Sequence, residues 1–156
     1  SLFSKILTDR CNKIINVPIL KDHGICGITF AMKNHFGAIH NPNKFHLNRC
    51  NPYIADLNSM KLIRERETLI IGDLTRIQAD GGPSYKSRWA VPYNGVLVGR
   101  DPVATDSVAL AILQQARRNL GRPDFVSKGI QPDYIDKAGE LGVGKSEGME
   151  HIELSL

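Results

Sequence analysis

Short apolar runs separated by polar and amphipathic stretches set the pattern of this chain. Three of the runs are rich in β-branched residues and too short for helices, which predicts buried strands at 13–17, 68–72 and 95–99. The second run ends in Gly72-Asp73, and a polar connection over 76–94 would follow it. A connection of that length inside a compact domain is usually functional or mobile.

The strongest helical pattern lies at 103–120, which is rich in Ala, Leu, Ile and Val. Asp101 can cap its first amides, Pro102 suits its first turn, and Gly121 can stop it. Weaker helical patterns lie at 2–10, 27–36, 52–65 and 133–141, with a connection at 19–24, a loop at 38–50 and a last edge strand at 149–154.

Strands that alternate with helices predict an α/β fold, with a mixed or mostly parallel sheet in one layer and flanking helices. The length of 156 residues suits one domain with a real hydrophobic core. An apolar fraction of 42% and a charged fraction of 23% are ordinary for a globular protein. No apolar run approaches the ~20 residues of a membrane span, so we expect none.

Positive charge is concentrated in the first third of the chain. Residues 1–50 contain seven Lys or Arg against two Asp or Glu, whereas 51–156 contain thirteen against fourteen. Such a local excess attracts anions, although a solvated basic face explains it equally well. Nucleic acid is a disfavoured partner, because aromatic residues are few and do not alternate with the basic ones.

The three cysteines, Cys11, Cys26 and Cys50, are far apart in the sequence. An odd and dispersed set argues against a disulfide framework, a local zinc knuckle and an iron–sulfur ligand motif. We therefore expect small buried side chains at these positions and no iron–sulfur cluster in this chain. The sequence does not determine any other cofactor.

Residues suited to catalysis and binding follow the predicted strands. Lys21, Asp22 and His23 follow the first strand, Asp73 the second and Arg100 the third. Ligands of open α/β sheets bind beyond the carboxyl ends of the strands. These side chains would therefore share one site if the strand order brings their strands together.

His23 and two lysines carry the chemistry that we consider first. His23, flanked by Asp22, could act as a general base or a metal ligand, or it could face solvent beside a capping aspartate. Lys21 and Lys33 could neutralise an anion, or they could be ordinary exposed lysines.

Further candidates lie in the predicted helices. Asp106 falls in a first helical turn, where the helix dipole alone would favour a carboxylate. Asn34 is polar within an apolar stretch and should bond something specific, for which a backbone carbonyl would suffice. The candidate catalytic residues are His23, Asp73 and Asp106, the candidate substrate-binding residues are Lys21, Lys33 and Asn34, and metal ligands are undetermined.

Four segments, taken in order, resemble the domain of unknown function 362 family. They are INVPILKDH at 15–23, KNHFG at 33–37, IIGD at 70–73 with GGP at 81–83, and GRDPVATDSVA at 99–109. The ordered set is far more specific than any one segment.

This resemblance implies a prokaryotic protein whose family has no established activity. Many such proteins carry a ferredoxin-like cysteine module, and some have a twin-arginine export signal. The resemblance also implies that residues 1–156 form a single α/β domain, the C-terminal portion of a larger family domain. The partners would be a small anionic ligand and an upstream domain or ferredoxin-like module. The location would be cytoplasmic, or exported if a signal precedes this segment.

Three functional hypotheses follow. The first is an enzyme, or a remnant catalytic domain, in which Lys21 and Lys33 bind a small anionic substrate and His23 transfers a proton or holds a metal. The alternative is a non-catalytic module that binds an anion or a partner through residues 1–50. The third is a structural half of a larger redox protein.

Overall fold

A mixed β-sheet with helices packed on one face forms the frame of the protein. The computed structural model describes residues 2–148, 150 and 152. The strands are β1 (Ile14–Asn16), β2 (Ile19–His23), β3 (Gly27–Thr29), β4 (Glu67–Gln78) and β5 (Ala90–Gly99). The helices are α1 (Ala31–Asn34), α2 (Tyr53–Ser59), α3 (Lys61–Arg64), α4 (Pro102–Asn119) and α5 (Tyr134–Glu140). Single helical turns lie at Ile6–Arg10, His35–Ala38, Pro42–Phe45, Asn48–Cys50 and Ser87–Trp89.

Strand β4 is the centre of the sheet. β5 runs antiparallel along one of its edges. β1 and β2 both run parallel to it along the other edge, because Ile70 has a β5 partner and also pairs with Asn16. Asp73 likewise pairs with Ile19, and its amide donates to the carbonyl of Pro18, which separates β1 from β2. β3 completes the sheet by pairing antiparallel with β2.

One face of the sheet is buried beneath the helices. Ile70, Gly72 and Leu74 alternate along β4 into this core, as the two-residue period of a strand requires. Gly72 makes room for the ring of Phe30, since an added Cβ would lie 2.2 Å from Phe30 Cζ. The core also contains Leu20, Ile28, Met32, Val103, Leu113, Phe125 and Tyr134.

The opposite face of the sheet is largely exposed. Ile15, Val17 and Ile19 on one side of this face, and Val96 and Val98 on β5, are each between 56% and 63% exposed. The sheet therefore has one packed face and one open apolar face.

The predicted α/β class, with a mixed sheet and flanking helices, is confirmed. The long helix begins where the sequence placed it, because Asp101 Oδ1 accepts the amides of Val103 and Ala104, both at 2.9 Å. None of the helices in the described part of the chain combines the length and the apolar character needed to cross a bilayer.

The prediction for residues 19–36 is wrong in part. Residues 19–24 were expected to connect a strand to a helix over 27–36, but they form β2, and 27–29 pair with it as β3. The turn is possible because Gly27 has a φ of +80°. Only the four residues of α1 and the helical turn after it stay helical.

Strand β4 is longer than predicted. It continues past 72 to Gln78, because this part of β4 pairs with β5. Thr75 and Arg76 are polar and exposed there, so the apolar pattern in the sequence did not reveal it. The connection over 76–94 is thereby reduced to about 79–89. The predicted helix over 2–10 is limited to Ile6–Arg10, and the predicted helix over 52–65 is divided into α2 and α3. The predicted loop over 38–50 contains helical turns. The predicted strand over 149–154 lies outside the described residues, apart from 150 and 152.

Candidate anion site

Lys33 is a buried cation without a carboxylate partner. It lies in α1 and is only 8% exposed. Its Nζ is 3.3 Å from His46 Nε2 and 4.7 Å from the centroid of the Phe36 ring. Within the described residues, no Asp or Glu oxygen forms a salt bridge with it. Removing an ammonium group from water without a counter-charge is costly, so this site favours an anion.

His46 is oriented to accept from the lysine. Its Nδ1 lies 3.1 Å from the carbonyl of Pro42, an atom that can only accept. Nδ1 therefore carries the proton, and the unprotonated Nε2 accepts from Lys33. The His46 ring packs between two others, with ring centroids 5.6 Å from His23 and 5.5 Å from Phe36.

His23 completes this cluster at the end of β2. Its Nδ1 accepts from the amide of Ile25 at 3.2 Å, so a neutral His23 carries its proton on Nε2. Burial, together with the nearby charge of Lys33 and the proximity of His46 and Lys21, lowers its pKa to about 3. The imidazole is therefore neutral near pH 7 and offers an N–H donor rather than a positive charge.

Lys21 lies two residues before His23 on β2 and carries a further positive charge. Its Nζ donates to the carbonyl of Pro83 at 3.1 Å. Its charge is the smallest of the contributions that lower the pKa of His23. The structure thus brings His23, His46 and Lys33 into one positive region. Lys21 lies on the same strand as His23 but lines a separate cavity with Asp73.

Two buried thiols lie beside this region. Cys26 and Cys50 are fully buried, and Cys26 Sγ donates to the carbonyl of Ile28 at 3.8 Å. The Cys26 thiol lowers the pKa of Cys50 against the opposing effect of burial, and Lys33 lowers it further. The expectation of small buried side chains holds for these two cysteines, while Cys11 is half-buried.

The loop that follows β4 is fixed against β2 next to His23. Asp22 Oδ1 accepts the amide of Gly82 at 2.7 Å and lies 3.4 Å from Gln78 Nε2. Gly82 is required at this position, because an added Cβ would lie 2.1 Å from the backbone oxygen of Asp22. The segment Gly81-Gly82-Pro83 thus allows the loop to pack closely against the backbone of β2.

Asp106 lies beneath α1. Its carboxyl accepts the amides of Ala31 at 2.8 Å and Met32 at 3.3 Å, which are the first amides of that helix. Complete burial raises its pKa to about 8, although these two hydrogen bonds act in the opposite direction. Its contacts are those of a helix cap supplied by another helix. Its predicted catalytic role stays a prediction.

Asn34 belongs to a polar network on a different side of α1. Its Nδ2 donates to Asn16 Oδ1 at 2.8 Å, and Asn16 Nδ2 donates to the carbonyl of Ala31 and to Glu67 Oε2, both at 2.9 Å. Glu67 Oε2 is also 2.5 Å from His35 Nε2. Sequence reasoning did not find this network, since β1, α1 and β4 meet only in the fold.

Asp73 is in the middle of β4, and its expected place at a strand end is wrong because the strand runs on to Gln78. Its Oδ1 accepts from the Oγ1 of Thr75 at 2.7 Å and from the amide of Thr75 at 2.8 Å, contacts that lower its pKa. With Lys21 it lines a shallow cavity of about 370 Å³ that does not include His23.

A buried aspartate that the sequence did not single out lies in the same loop. Asp80 accepts from Arg122 Nε at 2.6 Å and Lys128 Nζ at 2.8 Å, and its Oδ1 is 3.3 Å from Arg117 Nη1. Burial acts to raise its pKa, but the hydrogen bonds from Lys128 and Arg122 hold it below its ordinary value. This cluster holds the loop against the end of α4 and the segment that follows it.

No group of three or more His, Cys, Asp or Glu side chains in the described residues is arranged to hold a metal ion. Within these residues, His23 therefore has no partners with which it could hold a metal ion.

The pattern of a known family matches residues 4–111, which is more than half of the chain. The chain belongs to the DUF362 family. That family is described as a domain of unknown function. The matched part includes all five strands and the positive region around Lys33, whereas the three basic partners of Asp80 lie beyond it. No curated protein and no solved structure matches the chain.

Proposed function

We propose that this DUF362 chain binds a small anionic substrate beside Lys33 and that the site is catalytic. The observation that carries the proposal is the buried ammonium group of Lys33, which contacts His46 and the Phe36 ring and forms no salt bridge with a carboxylate among the described residues. A phosphate or carboxylate would supply the missing counter-charge.

His23 would recognise the same anion and could then transfer a proton. Its Nε2–H has no hydrogen-bond partner among the described residues in the neutral form, since the amide of Ile25 uses Nδ1. Without a ligand it is a poor base, because its pKa is lowered to about 3. An anion at Lys33 would offset the positive charges that lower this pKa, and would move the imidazole towards the range useful for acid–base catalysis.

The experiment is a titration of the full chain with inorganic phosphate and with acetate, followed by NMR of the histidine rings. We expect either anion to shift the His23 and His46 signals. Lys33→Met should weaken this binding about 10- to 100-fold, the effect of a lost charge-assisted hydrogen bond. It should not lower the melting temperature, since it also removes a buried charge.

Lys61→Met is the matched control, because the Lys61 side chain is 84% exposed. It should bind anions as the unmodified chain does. Unchanged anion affinity in Lys33→Met, together with a large loss of stability, would assign Lys33 to the fold and would refute the proposal.

A binding module without catalysis is the second candidate. It is favoured by the low pKa of His23, which makes this residue a weak proton acceptor in the unliganded protein. The two candidates differ in what a bound anion does to that pKa. A rise towards neutrality on binding phosphate supports the enzyme, whereas binding with an unchanged pKa supports the module.

A further inference from the structure

A second cavity, distinct from the positive region around Lys33, lies where α2, α3, the start of β4 and the end of β5 meet. Its volume is about 170 Å³, and its polar lining comes from Asn58, Arg64, Glu67 and Arg100. This is room for roughly five or six water-sized groups. The cavity can therefore take only a small ligand.

Asn58, one of the residues that line this cavity, has an unpaired acceptor. The residue is 1% exposed, and its Nδ2 donates to the carbonyls of Met32 at 3.0 Å and Ile54 at 2.8 Å. Both partners can only accept, so the nitrogen must face them and the amide orientation is fixed. Its Oδ1 is buried and has no hydrogen-bond partner among the described residues. A buried acceptor of this kind is costly unless a donor reaches it.

Two guanidinium groups supply donors to the same cavity. Arg64 uses Nη2 to donate to the carbonyl of Gly142 at 2.9 Å and keeps its other N–H groups. Arg100 follows β5 and is exposed, and it has no hydrogen bond or salt bridge within the described part of the chain. Glu67 is different, because its Oε2 already accepts from Asn16 and lies 2.5 Å from His35 Nε2.

We propose that this cavity binds a small carboxylate that carries a hydroxyl or amino group on the adjacent carbon. The carboxylate would accept from Arg64 and Arg100, in the paired geometry that guanidinium groups favour. The neighbouring O–H or N–H would donate to Asn58 Oδ1. A simple carboxylate satisfies the arginines and leaves the asparagine unpaired, which is the basis for selecting the α-substituted acid.

The proposal does not depend on the function proposed above, since the lining of the cavity includes neither Lys33 nor His23. It is tested by amide NMR titrations of the full chain with glycolate, glycine, acetate and inorganic phosphate. We expect glycolate or glycine to shift the amide signals around Arg64, Arg100 and Asn58. Acetate should bind there about tenfold more weakly, as expected for one missing hydrogen bond to a buried acceptor. A preference for glycolate indicates a hydroxy acid, and a preference for glycine indicates an amino acid.

Arg100→Ala is the principal variant, because this exposed side chain can be removed without disturbing the core. It should weaken glycolate or glycine binding about tenfold. Arg118→Ala is its control, an exposed arginine near the opposite end of α4, and it should leave the affinity unchanged. Lys33→Met should also leave binding at this cavity unchanged, which separates it from the other site.

Three results would overturn the proposal. The first is the absence of shifts around the cavity with both glycolate and glycine. The second is binding of acetate or phosphate there as tight as that of the α-substituted acids. The third is an Arg100→Ala variant that binds as the unmodified chain does, or that loses no more affinity than Arg118→Ala.

Discussion

At Asp106, one carboxyl group determines how helix α1 begins and how Lys33 is presented. The helix has only four residues, and neither Phe30, which precedes it, nor any side chain of its own caps its first amides. Those amides are bound instead by Asp106 from helix α4. Complete burial of the carboxyl disfavours its charged form and raises its pKa to about 8.

The first prediction concerns the pH dependence of stability. Folded Asp106 titrates near pH 8 and the unfolded residue near 3.8. Between these values the folded protein keeps a proton that the unfolded chain has released, so the free energy of unfolding falls as pH rises. His23 acts in the opposite direction, with its pKa lowered from 6.5 to about 3, so its contribution rises up to pH 6.5 and is constant above it.

Asp106 is therefore the one of these two groups that acts between pH 6.5 and 8. In urea unfolding, the free energy of unfolding of the unmodified chain should fall by about 2 kcal/mol more across this window than that of Asp106→Asn. Asp106→Asn keeps an acceptor for the helix amides and removes only the titration of this carboxyl. Asp124→Asn, at a fully exposed position, should retain the profile of the unmodified chain. Equal slopes for the unmodified chain and Asp106→Asn would contradict the assignment.

At the scale of elements, β4 and α1 are joined by a close approach that only glycine permits. The ring of Phe30, directly before α1, lies against the backbone of Gly72 in the middle of β4. The ring is fully buried and cannot move away without displacing the core. The position of α1 relative to the sheet, and hence that of Lys33, depends on this contact.

Gly72→Ala should therefore destabilise the protein by about 1–3 kcal/mol, the usual cost of overpacking a core. The matched control is Gly139→Ala in α5, where an added Cβ meets nothing within 4 Å. That substitution should stabilise the protein by about 0.5–1 kcal/mol, since alanine loses less conformational freedom in a helix. Both effects are measurable by thermal or urea unfolding. A neutral Gly72→Ala would show that the ring can be displaced and that α1 is less firmly placed.

At the scale of the whole molecule, Asp80 connects the part of the chain that carries the family pattern to the part that follows it. The loop after β4 contains Asp80, and its three basic partners come from the end of α4 and the segment after it. The same loop is bonded to Asp22, directly before His23. The cluster around Asp80 thus supports the strand end where the candidate site lies.

Asp80→Ala should cost about 3 kcal/mol or more, because it leaves the fully buried Arg117 without its carboxylate. Asp73→Ala is the control, since within the described residues the Asp73 carboxylate bonds Thr75 alone, on the open face of the sheet. It should cost less than about 1 kcal/mol. Urea unfolding of both variants measures the difference. Similar losses in the two would show that the Asp80 cluster contributes little to the fold.

The sequence by itself determined the features that depend on neighbouring residues. The strand within 13–17, the start of the second strand, the third strand and the helix that begins at Asp101-Pro102 all follow from local hydrophobic period and capping. It also picked out Lys21, His23 and Lys33, because charged and ionisable side chains are visible without a structure. The α/β class followed from the order of these elements.

Only the tertiary structure decided what those side chains experience. β2 is a strand because β4 pairs with it, and β4 comes some fifty residues later in the chain. The surroundings of the other candidate residues likewise depend on partners that are distant in sequence. Asp106 caps α1, and Asn34 joins a network with Glu67. Lys33 has no carboxylate beside it, and Asp73 faces away from the core. A charge or a pKa is set by burial and by the groups that surround it, and neither is specified until the chain has folded.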